Sequence, residues 1–267
     1  MNYLDAFLYG AIQGITEYLP ISSSAHLILL PRFFNLKDPG LTFDVLLHFG
    51  TMMATIIYFW RDWMDVAYSV PGLNKYRKGN TAGVSWKLIT VATIPALIVG
   101  AGLNDWVETV FRSNGVVATT LVMGGVLLFL ADYFAVRNKN LKVATVVDAL
   151  WVGIAQCFAL VPGVSRSGAT MIGGRLLGFT RQDAARFSFL ISAPVTAAAV
   201  VYEMRNWDKL FTTEWEIGPL LFAGFSAFLF GCLAIGGLLR LLRRFGYLSF
   251  AVYRIILAVT ILKFLGV

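Results

Sequence analysis

Charge is scarce in this sequence: 14% of its 267 residues are Asp, Glu, Lys or Arg, while 58% are hydrophobic. Soluble domains average about 25% charge, so this ratio, with a mean hydropathy of +0.71, excludes an ordinary soluble fold and places the chain in lipid. Cysteine is nearly absent. Cys157 and Cys232 lie in apolar segments without a second Cys or a His at metal-ligand spacing, which makes them small core hydrophobes and leaves the redox compartment open. The first residues, Met1 to Ala11, lack a basic stretch and a small-residue cleavage pattern, so the N-terminus is expected to belong to the mature fold. The net charge of +7 does not imply nucleic acid, because the basic residues sit in short loops between apolar runs, where anionic headgroups and topology account for them.

What the chain does have is apolar length. A helix needs about 20 apolar residues to cross a bilayer core. Six stretches qualify: Thr42 to Trp60, Leu88 to Asn104, Gly115 to Ala131, Ala184 to Tyr202, Ile217 to Leu239 and Tyr247 to Gly266. Two further regions, Tyr3 to Phe34 and Ala149 to Phe179, are broken in the middle by Pro20-Ile-Ser-Ser-Ser24 and Pro162-Gly-Val-Ser-Arg-Ser-Gly168. Each half is too short to span. Irregular backbone at membrane depth must be satisfied by protein or by a wet cavity, so both regions read as re-entrant helical hairpins lining a site. The expected class is an all-α polytopic membrane protein with six transmembrane helices and two re-entrant hairpins. All seven Trp residues (60, 63, 86, 106, 151, 207 and 215) fall near segment ends, as rings anchored at headgroup level do.

Loop charge predicts orientation. Arg61 to Lys87 holds five basic residues against two acidic ones, and Arg137, Lys139 and Lys142 with Arg240, Arg243 and Arg244 mark two more cytoplasmic connections. The loops 105–112 and 203–216 are acid-rich and are expected outside. Shifting the sequence by 143 positions places Gly10 on Gly153, Gln13 on Gln156, Ser22 on Ser165, Ser24 on Ser167 and Arg32 on Arg175. An offset of 144 continues the match with Phe43 on Phe187, Arg61 on Arg205 and Trp63 on Trp207. The loop after Arg61 is basic and the one after Arg205 acidic, which predicts inverted repeats, roughly 1–131 and 144–267, within one membrane domain.

Inverted repeats would bring the two broken loops together near a pseudo-two-fold axis. Ser22 to Ser24 and Ser165 to Ser167 would then begin two half-helices whose free N–H groups make an anion site. Glu17, His26 and Arg166 are the ionisable groups nearest those loops, and such residues at membrane depth mark function. Arg166 offers a bidentate fork for phosphate, with a surface anchor as its plainer role. Gln13 and Glu17 share a helix face and suit a hard cation, although a Gln and a Glu at this spacing are commonly just a polar stripe. His26 sits two residues beyond the Ser cluster. Asp44 and His48, one turn apart, either border the site or bond each other; Asp183 and Arg186 are expected to form a surface pair, and Arg254 and Lys263 to snorkel.

The runs Gln13-Gly-Ile-Thr-Glu17-Tyr-Leu-Pro20-Ile-Ser22-Ser23-Ser24-Ala-His26 and Pro162-Gly-Val-Ser165-Arg166-Ser167-Gly-Ala-Thr170 resemble the two signature motifs of the undecaprenyl-diphosphate phosphatase, or bacitracin-resistance, family. The whole chain is similar to that family. The resemblance implies a bacterial plasma-membrane enzyme that removes the terminal phosphate of undecaprenyl diphosphate, recycles the lipid carrier for cell-wall synthesis and confers bacitracin resistance. It implies a Mg²⁺ or Ca²⁺ ion on Glu17 and Gln13, and Arg166 on the diphosphate. Ser22, Ser24, Ser165, Ser167, Gly163, Thr170 and Gln156 are the further substrate-binding candidates. Ser23 and His26 share the remaining chemistry: Ser23 attacks with His26 as base, or His26 attacks, or His26 protonates the departing phosphate while metal-activated water attacks. The competing class is a polyprenyl-phosphate transporter or flippase, which needs anion binding but no nucleophile. The expected partners are the polyprenyl diphosphate substrate and membrane lipids, with no nucleic acid. A homodimer is left open, and the first hairpin is expected to open to the outer, periplasmic leaflet.

Overall fold

The computed structural model describes the chain except residues 35, 37–39, 74–82, 112, 137–138, 204–215 and 267, with backbone alone at 41–42 and 104–109. The helices are α1 (Tyr3–Tyr18), α2 (Ser23–Phe34), α3 (Leu41–Tyr58), α4 (Trp60–Tyr68), α5 (Trp86–Val110), α6 (Asn114–Phe134), α7 (Val146–Cys157), α8 (Arg166–Leu176), α9 (Arg181–Glu203), α10 (Ile217–Leu241) and α11 (Leu248–Leu265). Short 3₁₀ turns occupy Leu141–Val143 and Phe158–Leu160. Extended pairing among the described residues is limited to a single bridge between Lys139 and Phe179. The protein is an all-α, multi-pass membrane protein.

Among the described residues five helices are long and apolar enough to cross a bilayer, and a sixth span is counted when α3 and α4 are taken together across their 73° bend. The expected first span ended at Trp60; the backbone instead turns at Phe59, so Trp60 begins a separate amphipathic helix. Large side chains on the outer faces are apolar, among them Ile98, Leu127, Phe225 and Val259, and this surface is stable only against hydrocarbon. The two interrupted regions are helix–loop–helix units, as expected. With 16 and 12 residues, α1 and α2 rise about 24 and 18 Å, and neither α7 nor α8 is longer than 12 residues, so no half reaches across about 30 Å of hydrocarbon.

The hairpins pack on the opposite half of the chain. Helix α1 lies along α10, and α7 lies along α5. Glycine permits both approaches: a Cβ at Gly14 would stand 2.6 Å from the Ala227 carbonyl oxygen, and one at Gly153 would stand 2.6 Å from that of Ala92. Small residues at such crossings let backbones approach where lipid supplies no hydrophobic drive between helices.

Polar ties hold the layers. Asp132 at the end of α6 accepts hydrogen bonds from Arg175 Nε (3.1 Å), Arg181 Nε (2.7 Å) and Nη2 (2.8 Å), and the Tyr247 amide (3.2 Å), joining α6, α8, α9 and α11. Two expectations are corrected. Arg186 reaches Asp62, a buried acceptor on α4, while Asp183 bonds Thr180 at the start of α9. Arg254 does not snorkel: it is fully buried and donates to the carbonyls of Leu121 (3.0 Å), Pro20 (3.3 Å), Thr120 (3.3 Å), Gly163 (2.9 Å) and Val164 (2.9 Å). The broken loops leave carbonyls unpaired, and a fork of five N–H groups satisfies them. Arg205, Trp207 and Trp215, used in the repeat and anchor patterns, lie outside the described residues, as do Lys75, Arg77, Lys78 and Arg137 of the basic loops.

Gly14→Leu is expected to lower stability by about 1–3 kcal/mol through overpacking. Gly237→Ala, where a Cβ meets nothing within 4 Å, is expected to leave it unchanged or slightly raised. Thermal unfolding of the detergent-solubilised variants reads both. Arg254→Met strands the three loop carbonyls of Pro20, Gly163 and Val164 and is expected to cost about 3 kcal/mol in the same assay.

Candidate active site

Both broken loops make the same turn. Ser22 and Ser165, superimposed by the 143-residue shift, are the two non-glycine residues with positive φ among the described residues, each at 71°. A hydroxyl pair follows in each loop, Ser22 to Ser24 and Ser165 to Ser167, both at 3.1 Å. Such strain is held only where the surroundings over-determine it, and it clusters at functional sites. The turn starts α2 at Ser23 and α8 at Arg166, and the Ser165 hydroxyl caps α8 by accepting from the Gly168 amide at 3.1 Å. The loops are sewn together by Ser167, whose hydroxyl donates to the Leu19 carbonyl at 3.0 Å.

Where the two helix starts meet there is a cavity of about 260 Å³, lined by Glu17, Ser22, Ser23, Ser24, His48, Gln156, Ser165, Arg166 and Thr196 with apolar residues of α3, α5 and α9. Glu17 is its hub. Oε1 accepts from Arg166 Nη2, and Oε2 accepts from the Ser23 hydroxyl at 2.8 Å and from Gln13 Nε2 at 2.9 Å. The Glu17 side chain is 5% exposed, so the ion pair with Arg166 is shielded from bulk solvent. Arg166 is aimed by α9, which accepts through Thr196 Oγ1 (2.5 Å) and the Ser192 carbonyl (3.3 Å).

The named residues fall into three groups. Glu17, Ser22, Ser23, Ser24, Gln156, Ser165 and Arg166 line the cavity, and Gln13 backs it through Glu17. Ser167, Thr170 and Gly163 hold the scaffold. Thr170 bonds Ser188 (2.6 Å) and the Arg166 carbonyl (2.8 Å), while Gly163, at φ +89°, sits where a Cβ would strike Thr120, and its carbonyl accepts from Arg254. His26 stands apart. Its Nδ1 donates to the Ser22 carbonyl (2.7 Å) and its Nε2 accepts from Tyr253 Oη (2.7 Å), with the rings stacked at 5.7 Å. The ring borders an apolar groove with Ile12, Ile15 and Phe250 on the outer side of the hairpin.

The histidine in the cavity is His48. Its Nδ1 lies 3.0 Å from Gln13 Nε2 and 3.5 Å from Glu17 Oε2. Helical periodicity places His48 on the same turn as Asp44 but cannot show that α3 packs this turn against α1; a second polar residue at membrane depth was the available signal. Thr196 and Ser192, which aim Arg166, lie in an apolar run with no local mark.

The bacitracin resistance protein BacA family model matches residues 6–260. The chain is similar to undecaprenyl-diphosphatase of Gemmatimonas aurantiaca, with 45% identity over 98% of this chain and 97% of the relative. It is similar to the protein of that name from Moorella thermoacetica at 44% identity, with 98% and 97% covered, and from Geobacter metallireducens at 40%, with 99% of each covered. With a match that spans both hairpins and every described helix between them, the chain belongs to the bacitracin resistance protein BacA family.

Proposed function

We propose that this protein is an integral membrane phosphatase that hydrolyses the terminal phosphoanhydride of a polyprenyl diphosphate, with undecaprenyl diphosphate as substrate, as the names of its relatives state for them. The observation that carries this reading is one buried carboxylate, Glu17, that contacts a serine hydroxyl of its own hairpin and a guanidinium of the other. Two helix starts with Arg166 make the cavity a receptor for a diphosphate. Ser23 is the nucleophile. Its Oγ bonds to the terminal phosphorus as its proton, polarised by the hydrogen bond to Glu17, is released to water, and the bridging oxygen departs with the lipid monophosphate. Water then cleaves the phosphoserine, releasing inorganic phosphate and restoring the hydroxyl. Arg166 offsets charge on the transferring group, the largest contribution expected in phosphoryl transfer. His26, bonded at both ring nitrogens outside the cavity, fixes the Ser22 carbonyl and so the turn that presents Ser23.

A divalent cation, Mg²⁺ or Ca²⁺, fits beside Glu17. The Oε1 atom of Gln13 is buried without a hydrogen-bond partner, a free hard donor next to a carboxylate. One or two protein oxygens, completed by substrate phosphate and water, is the usual way a phosphate-associated Mg²⁺ is held. Such an ion would neutralise phosphate oxygens during transfer. The halves 1–131 and 144–267 form inverted repeats in this reading, supported by their matching serine turns and by the reciprocal packing of α1 on α10 and α7 on α5. The protein resides in the bacterial plasma membrane with the cavity open to the periplasmic leaflet, a placement that rests on loop charge. A transporter needs no hydroxyl bonded to a buried carboxylate.

Phosphate release from undecaprenyl diphosphate by the purified protein is expected to stop in EDTA, to return with Mg²⁺ or Ca²⁺, and to fall at least about 10²-fold in Glu17→Ala, Ser23→Ala and Arg166→Ala. A folded wild type that binds diphosphate and releases nothing would identify a carrier. Rapid quenching with ³²P-labelled substrate is expected to trap an acid-stable phosphoserine, absent from Ser23→Ala; an acid-labile phosphoenzyme would move the nucleophile to His26.

A further inference from the structure

We infer that His48 is a ligand of the cation, bound through Nδ1, so that Glu17 Oε2, Gln13 Oε1 and His48 form one facial set of protein donors. The inference rests on the reading that a divalent ion sits beside Glu17. It begins from a triangle: Gln13 Nε2 is 2.9 Å from Glu17 Oε2 and 3.0 Å from His48 Nδ1, and the last two are 3.5 Å apart. Adjacent donors around an octahedral ion with bonds of about 2.1 Å stand about 3.0 Å apart, and around a tetrahedral one about 3.4 Å. The triangle has the edges of a ligand face.

In the present arrangement the Gln13 amide nitrogen bridges two acceptors. It donates to the carboxylate and to His48 Nδ1, whose lone pair therefore points into the triangle and whose proton is on Nε2. The amide's other end, Oε1, is buried and unpaired. A half-turn about the Gln13 Cγ–Cδ bond exchanges the two ends and brings that orphaned oxygen onto the face occupied by the nitrogen. Without a cation the turn would set an oxygen against two acceptors; with one it produces three donors converging on a positive charge. Among the described residues no three His, Cys, Asp or Glu side chains cluster as a metal site, so the amide is needed to complete the set. Of the two histidines in the chain, His26 has both nitrogens engaged elsewhere, while His48 lines the cavity with Ser23 and Arg166.

A nitrogen in the set changes which ions are held. Ca²⁺ takes oxygen ligands, whereas imidazole favours first-row transition ions, so the site is expected to prefer Mn²⁺ to Ca²⁺. Wild type, His48→Gln, His26→Ala and Glu17→Ala, labelled with ¹⁵N-histidine, would be titrated in detergent with Mn²⁺ and read by electron spin-echo spectroscopy, with thermal unfolding to verify the fold. Histidine-nitrogen coupling to bound Mn²⁺ is expected in wild type and His26→Ala and lost in His48→Gln. Mn²⁺ affinity in His48→Gln is expected to fall about tenfold or more, and Ca²⁺ affinity to fall less. Mn²⁺ that binds in a Glu17-dependent way without histidine coupling would remove His48 from the set and leave the cation reading intact. Absence of any Mn²⁺, Mg²⁺ or Ca²⁺ binding beyond that of Glu17→Ala would overturn the cation reading, and this inference with it.

Discussion

The Glu17–Arg166 ion pair joins segments 149 residues apart, at a depth where neither partner could stay charged alone. Burying a lone carboxylate or guanidinium in an apolar medium costs several kcal/mol, and removing one partner of a buried pair leaves the other uncompensated. Each hairpin therefore needs the other. The serine turns, the Ser165 cap of α8 and the Ser167 bond to the Leu19 carbonyl fix the distance at which the two charges meet. Thr196 and Ser192 on α9 fix the direction from which Arg166 arrives. A carboxylate held this way has one oxygen committed to charge balance and the other facing Ser23, Gln13 and His48.

Arg254 solves a different problem with the same chemistry. A broken helix in lipid owes hydrogen bonds to several carbonyls, and water at that depth would compete for the cavity. A single guanidinium from α11 meets carbonyls of both loops and of α6. The loops are thus irregular and rigid at once, which is what positioning a reacting hydroxyl requires.

Much of this organisation was legible in the sequence because the membrane restricts the options. Apolar length identified five spans within a few residues, and the Pro and Ser breaks at 20–24 and 162–168 identified both hairpins, since nothing else in lipid accounts for a half-length apolar helix. The meeting of Glu17, Ser23 and Arg166 followed from the internal match at Ser22 and Ser165. What escaped was set by rotation of helices about their axes. His48 and Asp44 are equivalent by periodicity until α3 packs on α1, and Arg254 looks like a snorkelling residue until α11 turns it inward. The place of the His26 ring, bonded to Tyr253 beside an apolar groove, was likewise not legible from its proximity in sequence to the serines. The bend at Phe59 had no proline or glycine to announce it.

The reciprocal packing of the hairpins also governs how the molecule can be made. Helix α1 finds its glycine-fitted groove on α10, and Gly14 emerges from the ribosome long before Ala227 does. Contacts so distant in sequence make closure a late and slow event. The ordering has a useful result: the site cannot become competent in a nascent chain, since the last helices to insert are the ones that lock its two halves together.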